Sequence, residues 1–362
     1  NCTNTDICIG RIAAFVTTKT STHYPGDLMK SRQLGIHGPE VSAIGIGALS
    51  FSNFYGPAKD EESCNILSSA LDLGINHIDT SNVYGNGRSE SVIGTFLNRQ
   101  GRLKDELFTI ASKVGICRNK ETGERYFDNS EAHIRDQLEK TLVRLGISTL
   151  DLYYIHRRDE TIPIEEVAGT MSKMVEEGKI KAFGFSEIAP SSLKVANSVA
   201  HVAAVQSEYS LSTRNPELGL IQTTKALGSA FVAFSPVGRS LLTDDPHSED
   251  RISDMDFLRE NPRFIQPNLG RNIDATNEFR NIAQDLNISA SGLAIAWLLH
   301  QEKNIIPIPG TRSVKHLKQL AEGATKKLSD EDLSLIARAL PVGWAHGNRY
   351  SLNQSKAVEQ YC

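Results

Sequence analysis

The strongest constraint on this chain is the number of its short apolar runs. Eight of them recur along the sequence: Ser42–Gly47, His77–Thr80, Phe108–Ser112, Leu152–His156, Ala182–Ser186, Ala203–Gln206, Phe231–Ser235 and Ile305–Pro309. Each is followed by a segment with helical periodicity. A strand buried on both faces reads as a continuous apolar run rather than an alternation, and such strands belong to parallel sheets. The segments between them carry helix punctuation. Ile164, Val167, Ala168, Met171, Met174 and Val175 fall on one helical face, opened by Thr161 and Pro163 and closed by Gly178. Ile134, Leu138, Leu142 and Leu145 form a second stripe, closed by Gly146. Eight β–α alternations with right-handed crossovers predict an α/β fold, a (β/α)8 TIM-type barrel, in preference to an open sheet.

Two stretches depart from the repeat. About seventy residues separate the seventh and eighth runs, where a simple crossover needs about thirty. The excess predicts a long loop after strand 7, Thr243–Gln266, on top of the barrel, followed by helices over 274–286 and 290–302. Its acidic run, His247–Asp256, reads as a solvated loop face. A C-terminal extension, Leu328–Cys362, supplies a helix (Ser329–Leu340) and a tail over the barrel mouth. Residues 1–28 show little periodicity and read as a disordered N-terminal extension, with 29–362 as a single domain.

Charge and cysteine usage narrow the function. The 39 Lys and Arg against 43 Asp and Glu give a net charge of −4, without the basic excess of a nucleic-acid protein. No apolar run reaches the roughly 18–20 residues of a membrane span. Five cysteines show neither CxxC nor Cys/His metal spacing. They predict no disulfide framework, no metal and a reducing, cytoplasmic compartment.

In a barrel, chemistry sits at the C-terminal ends of the strands. That rule selects Asp79, Lys113, His156, Ser186, Gln206, Ser235 and Gly310, with Tyr84 just beyond the second strand. Each has a plain structural reading: a turn residue for Asp79, a packing group for Tyr84, a core histidine for His156. Lys113 resists it, because a buried lysine needs a partner. Together the four are coherent. An ammonium beside a tyrosine lowers its pKa from about 10. A carboxylate keeps that ammonium charged, and a histidine orients a carbonyl. Such a set protonates an oxygen while a borrowed hydride attacks carbon. Gly85-Asn86-Gly87-Arg88 lacks the third glycine of a dinucleotide fingerprint, and Cys117 reads as a thiol without a role. Gly310-Thr311-Arg312-Ser313 opens a helix, whose N-terminus suits an anion. Arg312 and Lys315 add charge for a 2′-phosphate, favouring NADP(H) over NAD(H).

These residues lie in motifs that resemble the aldo-keto reductases, in that family's order, from about Lys30 to Tyr350. The motifs are Ile78-Asp79-Thr80-Ser81-Asn82-Val83-Tyr84-Gly85, Ser112-Lys113-Val114-Gly115, Asp151 to Asp159, Gly178-Lys179-Ile180, Gly184-Phe185-Ser186-Glu187, Val205 to Ser210, Phe234 to Arg239, and Ile308 to Arg312. Phe51 to Pro57 is similar to the branch with auxin-induced, perakine-reductase-like and pyridoxal-reductase-like proteins. The resemblance implies NADPH-dependent reduction of aldehydes or ketones. Tyr84 would be the general acid, tuned by Lys113 and Asp79, with His156 orienting the carbonyl. Tyr209 would stack on the nicotinamide, and Ser186 and Gln206 would hold its carboxamide. Ser235, Pro236, Gly238 and Arg239 would face the pyrophosphate. Gly310, Thr311, Arg312, His316 and Gln319 would hold the adenosine end. Phe54, Tyr55 and Trp344 would line the pocket for a small-molecule carbonyl substrate. Leu320 stands where many relatives carry an adenine-binding Asn. The resemblance leaves a second role open, an NADPH-binding redox-sensing regulatory subunit with little turnover. It leaves the oligomeric state open too.

Overall fold

The structure, a computed structural model, describes residues 29–101, 104–119 and 121–361. The reading of residues 1–28 lies outside them. The described chain starts with an antiparallel hairpin, β1 (Ser31–Gln33) and β2 (Glu40–Ser42). Eight parallel strands follow: β3 (Ile46–Gly47), β4 (His77–Asp79), β5 (Thr109–Val114), β8 (Leu150–Ile155), β9 (Ile180–Ser186), β10 (Ala204–Glu208), β11 (Ala230–Phe234) and β12 (Ile305–Pro307). A short antiparallel hairpin, β6 (Ile116–Arg118) and β7 (Arg125–Phe127), rises directly after β5. The sheet runs in sequence order from β3 to β12. Gly45 N donates to Pro307 O and Gly47 N to Pro309 O, both at 2.9 Å, which brings the first strand against the last and closes the ring. Each of the eight predicted runs contains or overlaps one of these strands.

Strand parity sorts the side chains. Ala111, Leu152, Tyr154, Ala204, Ala230, Val232, Ile306 and Ile308 form one packed set, joined at its upper edge by Phe234. This set fills the barrel interior. Leu34 and Val41 of the first hairpin belong to it and plug the bottom. The alternate residues, among them Ile110, Tyr153, Val205, Phe231 and Ile305, face outward into the larger core shared with the helices. A period of two in a closed sheet requires this division.

The segment after β11 is not the long loop expected over Thr243–Gln266. It folds into two short helices, Glu249–Ser253 and Asp256–Arg259, and a 3-10 turn, Pro262–Phe264. Leu241, Ile252, Met255, Leu258, Phe264 and Leu269 give it a core of its own. Ile252 and Met255 are therefore buried within the supposedly solvated acidic run. The helix expected over 274–286 is two helices, Asn268–Ala275 and Asn277–Asp285. They break at Thr276, whose hydroxyl donates to the carbonyls of Asn272 (3.2 Å) and Ile273 (2.9 Å) in competition with the backbone ladder.

The C-terminal extension crosses the mouth as expected. Helix Asp330–Ala339 starts at a capping box formed by Ser329 and Asp332. The tail beyond it is tied down at several points. Arg125 donates to Asn353 O (2.6 Å), Asn261 to Arg349 O (2.6 Å) and Gln354 to Phe257 O (2.7 Å), and Glu359 accepts from Ala189 N (2.7 Å). Among the described residues, no single helix is long and apolar enough to cross a membrane.

Candidate active site

Asp79, Lys113, His156, Ser186, Gln206 and Phe234 stand at or beside the upper ends of β4, β5, β8, β9, β10 and β11, and all share the inward parity of the barrel-filling residues. Side chains far apart in sequence therefore converge because each takes an inward position at or near the upper end of its strand. Tyr84 joins them from the turn after β4, where Ser89 N and Tyr84 N close tight bonds to Tyr84 O and Ser81 O.

Lys113 is the centre of the cluster. Its fully buried ammonium is ion-paired with Asp79 Oδ1 and donates to Thr80 O (2.7 Å) and to the Tyr84 hydroxyl (3.2 Å). The second Asp79 oxygen accepts from Gln206 Nε2 at 2.7 Å. The Tyr84 and His156 rings meet edge to face, 5.8 Å apart. His156 Nδ1 lies 3.2 Å from Ser81 Oγ.

The electrostatics follow from burial. Desolvation works against the Lys113 charge, but Asp79 and Tyr84 outweigh it and its pKa is raised. Desolvation pushes the His156 pKa well below 6.5, and Lys113, Arg157 and Arg125 push the same way. His156 is therefore neutral at pH 7. Tyr84 departs from expectation. Lys113 does lower its pKa, but burial acts more strongly upward and Asp79 adds to it, so the net shift is upward. At neutral pH Tyr84 is a phenol with a proton to give.

The cofactor-side candidates divide. Ser186 is buried, and its hydroxyl accepts from Arg157 Nη1 at 3.1 Å. Ser235, Gly238, Arg239 and Ser240 all have positive φ (50°, 59°, 53° and 90°). For three of them this is an uncommon conformation. It bends the backbone after β11, beside the buried Pro236, into the kind of concavity that accepts anions. Helix Val314–Thr325 starts next to it, with Ser313 as N-cap. Gly310, Arg312, Lys315 and His316 are exposed around that start, Thr311 is buried beneath it, and Gln319 lies a turn further on. A phosphate-bearing group fits this donor set.

Three candidates are not where they were expected. Tyr209 is fully buried outside the barrel, its ring against Phe231 and Trp297 (5.7 Å each) and its hydroxyl donating to Glu217 at 2.8 Å. It offers no face to a nicotinamide. Its position is odd in register relative to the inward Gln206, and that parity was readable in the sequence. Phe234, which the sequence reading passed over, is the inward aromatic at the strand end. Arg239 is turned away from the phosphate concavity. Its guanidinium donates to Glu208 (3.0 Å) and lies over the Phe257 ring at 4.7 Å. Trp344 anchors the tail, its indole N–H donating to Leu211 O at 2.9 Å and its ring packed in the core of the post-β11 segment. Phe54 and Tyr55 do stand at the mouth, in edge contact with each other, with Phe54 against Phe257 and the Tyr55 hydroxyl 3.3 Å from Arg239. Leu320 is buried in the helix core, so no polar contact comes from that position.

The sequence reading also missed a buried ionic clasp. Glu187 pairs with Arg349 of the tail, and Glu208 pairs with Arg239 (3.0 Å) and with Arg349 (3.5 Å), tying the ends of β9 and β10 to the tail. Desolvation would raise the Glu187 pKa, but Arg349 and Arg157 outweigh it and hold it at about 2.

Comparison with known proteins bears on this arrangement directly. The aldo/keto reductase family model matches residues 43–341. This chain belongs to the aldo/keto reductase family. Aldo-keto reductase yakc (NADP(+)) of Schizosaccharomyces pombe is 38% identical over 313 residues, which is 86% of this chain and 92% of the relative. Among solved structures, the glycerol dehydrogenase AKR11B4 of Gluconobacter oxydans superposes with a TM-score of 0.74 at 27% identity, over 88% of this chain and 97% of that one. The aldo-keto reductase AKR11C1 of Bacillus halodurans, in its holo form, gives 0.72 at 23% identity over 90% and 99%, a likeness of fold. The barrel of this family member is thus of the aldo-keto reductase kind, with the mouth covered by the tail and the segment after β11.

Proposed function

We propose that this aldo/keto reductase family member is an NADP(H)-dependent carbonyl reductase in which Tyr84 is the general acid. The reading rests on the Lys113 ammonium, which is paired with Asp79 and donates to the Tyr84 hydroxyl. NADPH, when bound, supplies the hydride that the carbonyl carbon receives. Tyr84 holds its proton at the hydroxyl oxygen and gives it to the carbonyl oxygen as negative charge develops there. Lys113 stabilises the phenolate left behind, and Asp79 keeps Lys113 charged. Neutral His156 keeps Nδ1 toward Ser81 and has Nε2 to orient the carbonyl. Such a positioned acid is worth about 10²–10⁴ in rate.

For the cofactor, the reading gives Phe234 the nicotinamide face. Ser186 and Gln206 would hold the carboxamide, Gln206 through its Oε1, because its nitrogen is donated to Asp79. The backbone of Ser235–Ser240 would take the pyrophosphate. Arg312 and Lys315 would meet a 2′-phosphate, with Gly310, Thr311, His316 and Gln319 around the adenosine. The NADP(+) in the name of the yeast relative supports this choice. The reading takes 29–362 as one catalytic domain. It also takes the compartment as cytoplasmic, in keeping with free thiols at Cys64 and Cys117.

The test is NADPH consumption with an electron-poor aromatic aldehyde. Tyr84→Phe is expected to lose at least about 100-fold in kcat while holding NADPH with nearly wild-type affinity. Unchanged turnover in that variant would sink the mechanism.

A further inference from the structure

We propose that the carbonyl compounds taken by this site carry an anionic group, a carboxylate or a phosphate, received by the guanidinium groups of Arg157 and Arg125. The inference rests on the reductase reading above and names its substrate class.

Arg157 follows His156 directly in the chain and is 9% exposed. Its Nη1 donates to two neutral acceptors, His156 O at 2.7 Å and Ser186 Oγ at 3.1 Å. Its Nε is buried with no acceptor. Arg125 stands on β7, half-buried, and gives its Nη2 to the backbone carbonyls Asn353 O (2.6 Å) and Gln354 O (3.4 Å). Neither arginine forms an ion pair with a carboxylate among the described residues. Of the other arginines packed at the mouth, Arg239 has Glu208 and Arg349 has Glu187, while Arg158 and Arg263 donate only to backbone carbonyls and a hydroxyl and are absent from the charges that act on His156. Glu187 is the carboxylate whose field reaches Arg157, but both its oxygens are taken. Oε1 accepts from Ser207 Oγ and Glu208 N, and Oε2 from Arg349. The two arginines also act on each other and on His156, where every charge felt is positive. Buried cations without a counter-charge are costly. An anion arriving with the substrate would remove that cost next to the group that orients the carbonyl.

The cofactor's phosphates are the competing source of negative charge. The backbone concavity and exposed cations suited to them lie beyond β11 and β12. Arg157 is at the end of β8 and Arg125 on the hairpin after β5, at least three strands away around the ring. The position favours the substrate.

The test compares 4-carboxybenzaldehyde, 4-formylphenyl phosphate and the neutral methyl ester of the first. With wild-type protein and NADPH, kcat/KM for the anions is expected to exceed that for the ester by about tenfold or more, mostly through KM, and added salt should shrink the margin. The better of the two anions identifies which one is read. Arg125→Met should reduce the ratio of anion to ester about tenfold, and Arg125→Lys should restore most of it. Melting temperatures report whether the variants fold. A wild-type ratio near one, with the ester well reduced, overturns the anion site and leaves the reductase standing. A ratio unmoved by Arg125→Met, with NADPH binding weakened instead, assigns the arginines to the cofactor and also overturns it. A last arm measures the affinity of the aldehydes for the NADP+-loaded protein by calorimetry. If none of the three is reduced, the reductase reading fails, and this arm still decides the anion site: equal affinities for acid and ester refute it, and tighter binding of the acid that Arg125→Met abolishes upholds it.

Discussion

At the tops of β4, β5 and β8 the proposed site is built from side chains, whereas past β11 and β12 it is built from backbone. The first region is buried and its polar atoms are committed to one another: Lys113 to Asp79, Thr80 and Tyr84, and Asp79 to Gln206. The second is a run of left-handed residues and a helix start, with exposed cations at its rim. The difference has a physical cause. Proton transfer needs groups whose pKa values are set by neighbours in a low-dielectric site, and only side chains titrate there. Holding phosphates needs N–H groups and a positive field, which a backbone supplies whatever its side chains are. A substitution in the first region should therefore disturb chemistry and folding together. In the second it should disturb affinity alone.

Lys113→Met is the harshest probe of that contrast. It removes the ammonium that stabilises the phenolate and leaves Asp79 buried without its ion partner. Breaking a buried pair on one side costs roughly 3–5 kcal/mol, and loss of the tuned acid costs about 10²–10⁴ in kcat. Denaturant unfolding and steady-state kinetics on the same preparation read both. A variant as stable and as active as wild type would mean that the side-chain region is not the reacting one. Arg312→Glu is the matching probe of the second region. It should weaken NADPH binding by roughly tenfold, since a charge-assisted contact is replaced by repulsion, and leave NADH binding and the melting temperature almost unchanged. Equal losses for NADPH and NADH would remove the 2′-phosphate from its account.

The pH response sharpens the same comparison. The Tyr84 pKa is raised, by burial first, so the acid form persists through neutral pH and reduction is lost only as pH rises through that elevated value. The His156 pKa is lowered, again by burial first. As pH falls below about 6.5 the unfolded chain takes up a proton that the folded chain refuses, so stability declines toward acid. From pH 7 to 9, kcat/KM for aldehyde reduction should vary by less than about threefold. Unfolding free energy should be lower at pH 5 than at pH 7. A steep loss of activity between pH 7 and 8.5 would show a Tyr84 pKa depressed rather than raised.

Much of this was legible in the sequence. Continuous apolar runs mark strands buried on both faces, and Asp79, Lys113 and His156 could be found because each lies at or within one residue of the end of such a run. What escaped depended on three-dimensional neighbours. Burial outweighing Lys113 at Tyr84 is a sum over contacts that no spacing reveals. Arg239 took a phosphate role from the resemblance alone, because Glu208, which neutralises it, lies 31 positions away at the end of β10. The segment 243–266 read as a loop because its apolar residues are sparse and pack mainly against one another. Tyr209 is different, since counting in twos from Gln206 along its strand points it outward.

The placement of Tyr209 yields the smallest expected effect and the finest discrimination between the regions. If Tyr209 only packs, Tyr209→Phe removes one hydroxyl and its bond to Glu217, which is still engaged by Arg214 at 2.6 and 2.8 Å. The cost should be about 0.5–1.5 kcal/mol of stability, with KM for NADPH unchanged. Phe234→Leu should do the reverse. It keeps apolar volume at the upper edge of the barrel interior, so stability changes by less than about 1.5 kcal/mol, while loss of the flat ring raises KM for NADPH several-fold. Reversed results, with Tyr209 moving the cofactor and Phe234 moving only the fold, would return the nicotinamide face to Tyr209. They would also mean that the loop after β10 rearranges when the dinucleotide binds, because in the present arrangement the Tyr209 ring is closed off by Phe231 and Trp297.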